Sequence, residues 1–268
     1  MATDVKSAAL LLDLGKCTAC RGCQAACKQW NDLPGEETQN WGSYQNPADL
    51  SYDTYTLIHF DEHEHEDGSL TWLFLNQRCL HCTDAACVDV CPTGALAYNE
   101  MGFVSFEEDK CNGCGYCSQY CPFGIPRLNQ ISTVSGEAKS SKCTFCQDRT
   151  TNGLSPACAQ ACPTGAILYG ERDELVATGK QRVEELKAKG RSEARLYGEN
   201  ELGGLHQMYV LEAKASLYGL PEDPKYPGGA TLRNVLKPLG NVAIGAALVG
   251  AVAAFFVTRR NIKMEEVE

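Results

Sequence analysis

The chain has 268 residues, 44% of them hydrophobic, and a formal net charge of −10. This acidic balance argues against nucleic-acid binding, which needs a basic surface. The length and hydrophobic content suffice for a packed core, so the sixteen cysteines are not predicted to form the disulfide framework of a small secreted protein.

The first predicted element is a strand at the apolar run Ala8–Leu14, which leads directly into the first cysteines. The run is too short for a secretory signal peptide, is interrupted by Asp13, and lacks a basic region and a cleavage site. If the protein is exported, we expect it to travel folded with a partner that carries the signal.

The cysteines fall into four consecutive groups of four, with none left over. In order, the groups are Cys17, Cys20, Cys23 and Cys27; Cys79, Cys82, Cys87 and Cys91; Cys111, Cys114, Cys117 and Cys121; Cys143, Cys146, Cys158 and Cys162. Groups one and three have the ferredoxin spacing C-x2-C-x2-C-x3-C, and the middle gap is four residues in group two and eleven in group four. In two-cluster ferredoxins the fourth cysteine of each motif binds the other cluster. The spacing therefore predicts four iron–sulfur clusters, held by interlocked pairs of motifs.

An internal repeat supports this pairing. The sequence CPTGALAY, from Cys91 to Tyr98, recurs as CPTGAILY, from Cys162 to Tyr169. Each copy predicts a turn that leads into a short strand. Groups two, three and four are followed by proline, whereas Lys28 stands in that place after group one.

A basic residue stands directly before every group: Lys16, Arg78, Lys110 and Lys142. Four thiolates around iron carry negative charge, so a nearby cation favours the reduced state and raises the reduction potential. The alternative is that all four are solvated surface side chains. The sequence leaves both readings open, because it does not give the direction of these side chains.

Structural zinc is the main alternative for the cysteines. Zinc sites use pairs of C-x2-C hooks, and a third cysteine at x2 with a fourth at x3 is not a zinc-ribbon pattern. Group four, with its long gap, resembles a ferredoxin least and leaves zinc most open.

An insertion at about 31–75 separates groups one and two. Two strand patterns, Tyr55–Phe60 and Leu70–Leu75, flank the acidic sequence DEHEHEDG and predict a hairpin. His59, His63 and His65 stand in or beside this tip. Histidine and the neighbouring acidic residues are types that can bind a metal, but a solvated loop is the favoured interpretation.

After the last group, residues 171–219 are predicted to form an extension that packs on the cluster domain or on a partner. The residues from about Arg172 to Gly190 suit an amphipathic helix, with apolar positions at Leu175, Val176, Val183 and Leu186. Leu205–Leu211 resembles a strand. The chain has no G-x-G-x-x-G loop, P-loop or nucleophile motif, so no catalytic residue is predicted.

The C-terminal part divides into a Pro-rich linker at 220–238, an uncharged stretch at 239–257 and a short tail at 258–268. The uncharged stretch has about the length of a transmembrane helix, although its Ala- and Gly-rich composition also suits a buried helix. Small residues recur four apart in it and favour close approach of a partner helix. These are Ala243, Ala247 and Ala251, and Ala246, Gly250 and Ala254. Basic residues Arg259, Arg260 and Lys263 favour a cytoplasmic C-terminus, which places the cluster domain on the outer face.

Four segments resemble the iron–sulfur beta subunit of respiratory, membrane-bound formate dehydrogenases, within the molybdopterin oxidoreductase electron-transfer family. They are CTACRGCQAACKQWNDLP, GEETQNWGSYQNPADLSYDTY, CLHCTDAACVDVCPTGA and LGGLHQMYVLEAKASLYGLPEDP. The cysteine groups alone are shared with subunits of other molybdopterin enzymes and some hydrogenases. The KQWNDLP extension narrows the resemblance to formate dehydrogenase.

The resemblance implies an α+β fold with two ferredoxin-like modules within 1–170 and one C-terminal transmembrane helix. Module A combines groups one and four, and module B combines groups two and three. It also implies four [4Fe–4S] ligand sets. Set 1 is Cys17, Cys20, Cys23 and Cys162; set 2 is Cys143, Cys146, Cys158 and Cys27; set 3 is Cys79, Cys82, Cys87 and Cys121; set 4 is Cys111, Cys114, Cys117 and Cys91.

The implied function is non-catalytic electron transfer. Electrons from formate oxidation at a molybdenum or tungsten site in a catalytic subunit would pass singly through the four clusters to a membrane cytochrome b and quinone. The alternative is the same role in another complex, such as a hydrogenase or a sulfur-compound or sulfoxide reductase.

Overall fold

The computed structural model describes residues 5–130 and 138–261. It divides the chain into two compact units, Met1–Pro227 and Gly228–Glu268. The described helices are α1 (Gly22–Trp30), α2 (Ala86–Asp89), α3 (Tyr116–Gln119), α4 (Gln147–Thr150), α5 (Ala157–Gln160), α6 (Arg172–Ala188) and α7 (Gly228–Asn261). The described strands are β1 (Ala8–Asp13), β2 (Leu57–Glu64), β3 (Leu70–Gln77), β4 (Leu96–Tyr98), β5 (Val104–Phe106), β6 (Arg127–Gln130), β7 (Ala138–Ser141), β8 (Ile167–Glu171), β9 (Arg195–Tyr197) and β10 (Gln207–Leu211).

The largest sheet of the first unit has the strand order β8-β1-β10-β9. β1 runs antiparallel to β8 and parallel to β10. The predicted strands at 8–14 and 205–211 are therefore confirmed as neighbours in one sheet. The extension that follows the last cysteine group is thus part of the sheet that the N-terminal strand begins.

β1 is buried on both faces, as its continuous apolar run leads one to expect. Successive side chains of a strand point to opposite faces of the sheet. Ala9 and Leu11 pack in the same apolar cluster as residues of α6. Leu10 and Leu12 pack in the apolar cluster that includes Cys23 and Cys158. One face of β1 therefore supports α6, and the other lies against the cysteines.

The helix predicted at 172–190 is confirmed as α6. It packs against β1 and buries Leu175, Val183 and Leu186. Gly179 also faces the sheet, where an added Cβ would lie 2.7 Å from Leu196 Cδ1. A glycine at this position lets the helix approach the sheet closely.

Three antiparallel hairpins complete the described sheets of this unit: β2–β3, β4–β5 and β6–β7. The predicted β2–β3 hairpin is confirmed, but its acidic tip is shorter than expected. Asp61–Glu64 continue β2, because they pair in register with Leu70–Leu73 of β3. The repeated turns lead into β4 and β8, as predicted.

Helices that carry cysteines pack in two pairs. α1 of group one contacts α5 of group four, and α2 of group two contacts α3 of group three. The mixed helix–strand unit thus contains two ferredoxin-like halves, which are modules A and B.

The described residues of the second unit form α7, which begins at Gly228 and not at the predicted Leu239. The linker prediction at 220–238 is therefore wrong for its second half. Prolines stand at 221, 224 and 227, and the last of them directly precedes Gly228, where the helix begins. Ala230–Leu232 is therefore already helical. The stretch 239–257 lies within this helix. No helix in the described part of the chain meets the length and hydropathy that a membrane span requires.

Candidate iron–sulfur sites

The turn between the first two cysteines has the same backbone geometry in every group. Its second residue has a left-handed φ: Ala19 at 51°, His81 at 48°, Gly113 at 69° and Phe145 at 62°. This conformation costs a non-glycine residue about 1–2 kcal/mol. Its recurrence indicates that each group turns the chain sharply between its first two cysteines.

Set 1 surrounds one cavity. Cys17, Cys20 and Cys23 of group one and Cys162 of group four all line it. Asn76, at the end of β3, lies on the same cavity and donates a hydrogen bond from Nδ2 to Cys23 Sγ, 3.0 Å away.

Set 2 surrounds a second cavity. It is lined by Cys143, Cys146 and Cys158 of group four and by Cys27 of group one. The guanidinium of Arg78 also lines this cavity and donates from Nη1 to Cys158 Sγ at 2.8 Å. Each cavity is thus lined by three cysteines of one group and the fourth cysteine of the other, as expected of interlocked ferredoxin motifs.

Sets 3 and 4 are brought together in module B. Burial, followed by the neighbouring charges of Cys79 and Cys121, raises the pKa of Cys82 and of Cys87 well above the ordinary value. Cys79 and Cys121 also pack in one apolar cluster, and Cys82 and Cys87 pack in a second. In set 4, burial raises the pKa of Cys117, with smaller contributions from Cys111 and Cys114. Cys91 packs in the same apolar cluster as Cys111 and Cys117.

The repeated CPTGA turns give their two cysteines matching surroundings. Thr93 Oγ1 lies 3.7 Å from Cys91 Sγ, and Thr164 Oγ1 lies 3.7 Å from Cys162 Sγ. Burial alone would raise the pKa of both thiols, but hydrogen bonds from these hydroxyls and from the backbone N–H groups of the turns bring it below the ordinary value. The turns therefore favour the thiolate, which is the form that binds metal.

Neighbouring sets share apolar clusters, and these clusters place the four sets in a line. Cys23 of set 1 and Cys158 of set 2 pack in one cluster. Cys143 of set 2 and Cys79 of set 3 pack in a second. Cys87 of set 3 and Cys117 of set 4 pack in a third. Two cysteines are exposed, Cys20 in set 1 and Cys114 in set 4. Sets 1 and 4 are therefore the two ends of the series.

The four basic residues that precede the groups divide into two kinds. Arg78 is 1% exposed and Lys142 is 3% exposed. The side chains of Lys16 and Lys110 are about half exposed and pair with Asp13 and Glu107, respectively. The potential-tuning hypothesis thus has geometric support only for Arg78 and Lys142.

The donors present fit anionic iron–sulfur clusters. Arg78 Nε and Nη2 are buried and have no hydrogen-bond partner among the described residues. Burial by itself would lower the pKa of this guanidinium, but the surrounding charges of Cys158, Cys143 and Cys23 raise it above the usual value. A buried cation directed at thiol sulfurs, with donors to spare, suits a negatively charged group held by those sulfurs.

A single zinc ion fits less well. Its ligands must all reach one ion, at about 2.3 Å for sulfur, whereas each thiolate of a cubane binds a different iron. Across the described ranges, no three His, Cys, Asp or Glu side chains are grouped so that they could hold one metal ion.

The histidines of the β2–β3 hairpin form separate hydrogen bonds. His59 Nε2 lies 2.7 Å from Gln77 Oε1, His63 Nε2 lies 2.9 Å from the Leu217 carbonyl, and His65 Nε2 lies 2.7 Å from Thr71 Oγ1. Each ring thus has a polar partner within the protein.

Sequence reasoning missed three residues near the sets. Asn76 belongs to no motif that the sequence pattern could reveal. The same is true of Ser140, whose Oγ lies 3.2 Å from Cys117 Sγ. Lys28 did carry a signal, since it replaces a proline. It lies inside α1, where the helix continues past Cys27, and its Nζ donates to the carbonyls of Pro34 and Asp53 at 2.8 and 2.9 Å.

Comparisons with known proteins agree with this geometry. Two family models described as "4Fe-4S dicluster domain" match residues 16–95 and 70–172. The formate dehydrogenase iron-sulfur subunit of Haemophilus influenzae is 41% identical over 97% of this chain and 83% of its own length. The nitrate-inducible formate dehydrogenase iron-sulfur subunit of Escherichia coli is 40% identical over 97% of this chain and 88% of its own length.

A third relative covers less of the chain. Formate dehydrogenase 2 subunit beta (cytochrome c-553) of Nitratidesulfovibrio vulgaris is 36% identical over 68% of this chain and 84% of its own length. Together with the sixteen cysteines, these matches show that the protein carries four [4Fe–4S] clusters and transfers electrons without being the catalytic subunit. The chain belongs to the family of formate dehydrogenase iron–sulfur subunits.

Proposed function

We propose that the protein conducts electrons in single steps between a molybdenum- or tungsten-pterin formate dehydrogenase subunit and a membrane acceptor. The observation that carries this proposal is the linear order of the four cysteine sets, with an exposed cysteine at each end. A series of one-electron sites with two accessible ends suits a protein that joins a donor to an acceptor. The relatives are formate dehydrogenase subunits, so a hydrogenase or sulfoxide reductase partner is not favoured.

The ligand assignment is part of the proposal. Sets 1 to 4 each hold one [4Fe–4S] cluster, which supplies a one-electron carrier when bound. Two cavities, each lined by all four thiols of one set, support the assignment of sets 1 and 2. Cys79 and Cys121 pack in one apolar cluster, and Cys82, Cys87, Cys91, Cys111 and Cys117 pack in another. This packing supports the placement of sets 3 and 4 in one module, and their division follows the exchange of fourth cysteines in ferredoxin motifs.

The protein's own side chains then set the environment of each carrier. Asn76 donates to a set 1 sulfur, Arg78 donates to a set 2 sulfur, and Ser140 lies against a set 4 sulfur. Such donors stabilise negative charge on the ligands and so favour the reduced state. The apolar faces of β1 and β5 exclude water from the same sulfurs.

The acceptor side of the proposal rests on α7. Its large apolar side chains are exposed in the described structure, including Val249 at 71% and Phe256 at 63%. The 97% alignment with the E. coli relative leaves only a few residues unmatched and so includes most of α7. We propose that residues 239–257 of α7 anchor the protein in the membrane beside a cytochrome b subunit, which passes electrons to quinone.

The location of the cluster domain is a further part of the proposal. Arg259 and Arg260 follow the apolar stretch, and basic residues favour the cytoplasmic side. The cluster domain would then lie on the outer, periplasmic face. Protease treatment of intact spheroplasts and of inverted vesicles tests this: cleavage of the cluster domain only in spheroplasts is expected, and cleavage only in inverted vesicles would place it inside.

Electron transfer from formate is tested on the complex purified anaerobically from detergent-solubilised membranes. Low-temperature electron paramagnetic resonance should show signals of reduced [4Fe–4S] clusters after formate is added. Signals that appear with dithionite but not with formate would show that the clusters are present, and they would refute formate as the electron source.

The role of α7 is tested by ending the chain after Pro227. The truncated protein should still assemble with the catalytic subunit and support formate-dependent dye reduction, but the complex should leave the membrane fraction and lose quinone reduction. Unchanged membrane retention would refute the anchoring role.

A further inference from the structure

Two buried cations lie where modules A and B meet. Arg78 follows the end of β3, and Lys142 follows the end of β7. Neither forms a salt bridge with a carboxylate in the described parts of the chain, although both are almost completely buried. A buried charge without a counter-charge is costly, so their placement requires a negative partner of another kind.

Each cation faces the module to which it does not belong in sequence. Arg78 directly precedes Cys79 of set 3, yet its Nη1 donates to Cys158 Sγ of set 2 at 2.8 Å. Lys142 directly precedes Cys143 of set 2. Its Nζ donates to the carbonyls of Val104 and Cys143, at 2.8 and 2.9 Å.

Lys142 lies beside set 3. Its Nζ donates to the carbonyl of Val104, and Val104 packs in one apolar cluster with Cys82 and Cys87 of set 3. The two cations are thus crossed, with Arg78 of group two at set 2 and Lys142 of group four at set 3.

The crossing occurs at the junction between the modules. Cys79 of set 3 and Cys143 of set 2 belong to one apolar cluster, together with Leu50, Leu57 and Ile125. An electron that passes from one module to the other must leave one of these two sets and enter the other. Water is excluded here, so charge interactions are stronger than at the surface.

We propose that Arg78 raises the reduction potential of the set 2 cluster and that Lys142 raises the reduction potential of the set 3 cluster. The two crossed cations then stabilise the electron on the clusters between which it passes from one module to the other. This assignment rests on the proposed ligand sets. Arg78 and Lys142 are positioning residues, because they act on the clusters through the cysteine ligands and the local field. Lys16 and Lys110 stand at the equivalent sequence positions but are half exposed and paired with carboxylates, so solvent and counter-charge screen them.

The test is a redox titration of the complete complex, followed by low-temperature electron paramagnetic resonance. Cys146→Ser and Cys82→Ser first identify the signals of sets 2 and 3. The test variants are Arg78→Gln and Lys142→Gln, and Arg78→Lys restores the charge. Lys16→Gln and Lys110→Gln are the matched controls, and iron content and formate-dependent dye reduction check assembly.

Arg78→Gln should lower the reduction equilibrium constant of set 2 about tenfold, which is 59 mV for a one-electron couple. A smaller decrease is expected at set 1, because Cys23 packs in the same apolar cluster as Cys158, to which Arg78 donates. Lys142→Gln should lower the reduction equilibrium constant of set 3 by a similar factor. Arg78→Lys should restore most of the decrease in the reduction equilibrium constant of set 2. The two controls should leave all four potentials unchanged.

Unchanged set 2 and set 3 potentials in fully iron-loaded variants would overturn the proposal, as would a shift of set 3 by Arg78→Gln. Equal shifts in the Lys16 and Lys110 controls would overturn it too. If Arg78→Gln does not retain its iron, Lys142→Gln decides by the same criterion, since Lys142 donates to no sulfur directly. If the unsubstituted complex lacks four clusters or is not reduced by formate, the proposed function fails independently of any variant.

Discussion

In the proposed ligand sets, modules A and B have the same number of ligands and the same exchange of fourth cysteines, but they differ in what surrounds the ligands. Module A lies against a four-stranded sheet that α6 covers on its other face, and all four cysteines of set 2 are buried. In the described part of the chain, module B contains the β4–β5 and β6–β7 hairpins, and three of the four cysteines of set 3 are only partly buried. The elements outside the motifs, and not the cysteine spacing, therefore determine how deeply each site is buried.

Removing a cluster ligand from module B should have the largest effect on electron transfer. Cys87→Ser removes a set 3 ligand, and because the sets lie in series, formate-dependent quinone reduction should fall to background. Dye reduction by the catalytic subunit should persist. The rates of quinone reduction and dye reduction are both measured on the purified complex. Lys110→Gln is a surface control and should leave both rates unchanged. Quinone reduction at the full rate in Cys87→Ser would show that the sets are not in series.

The unequal support of the two modules predicts unequal stability losses. Leu10 in β1 is fully buried in the largest apolar cluster, whereas Leu96 in β4 lies in a small one. Replacing a buried leucine with alanine costs about 2–5 kcal/mol, and more where the site cannot collapse. Leu10→Ala should therefore lower the temperature at which cluster absorbance bleaches by more than Leu96→Ala does. The reverse order would contradict the greater structural role of the four-stranded sheet.

Hydrogen bonds to sulfur should affect the two modules separately. Asn76→Leu removes the donor to Cys23 and should lower the potential of set 1, whereas Ser140→Ala removes the hydroxyl beside Cys117 and should lower that of set 4. Each shift should be below the tenfold change, about 59 mV, that a full charge produces. Redox titration measures both, and a shift of the other module's set would contradict the assignment.

The smallest effect concerns the insertion that only group one carries. Burial would raise the pKa of Glu36, but hydrogen bonds from Ser51, Thr54 and Lys28 lower it below the ordinary value. Its stabilising contribution is therefore complete above that ordinary value and is lost as pH falls through the lower folded pKa. Glu36→Gln should make the segment after Pro34 easier to cleave by protease at neutral pH. The expected loss is below about 1 kcal/mol, because the carboxylate is only partly buried and solvent screens its charge.

Two comparisons check the Glu36 prediction. The unsubstituted protein should approach the cleavage rate of Glu36→Gln only at acid pH, and Glu37→Gln, one residue further along, is the matched control. Equal cleavage of Glu36→Gln and Glu37→Gln at neutral pH would contradict the role of Glu36.

Cysteine spacing predicted the cluster number, and apolar periodicity predicted the main strands, because both patterns act locally. The assignment of the groups to modules A and B came from the resemblance to a known family. The crossing of Arg78 and Lys142 could not be predicted, since it depends on where two hairpins end in space. Asn76 was missed for the same reason. The start of α7 was misplaced because the Pro-rich composition of 220–227 was extended over Gly228–Pro238, where the chain is already helical.

The series arrangement is tested most directly by electron paramagnetic resonance of the Cys87→Ser complex, reduced first with formate and then with dithionite. We predict that formate reduces clusters on only one side of set 3, either sets 1 and 2 or set 4, and that dithionite then reduces the other side. Reduction of clusters on both sides by formate would contradict a single path through the module junction.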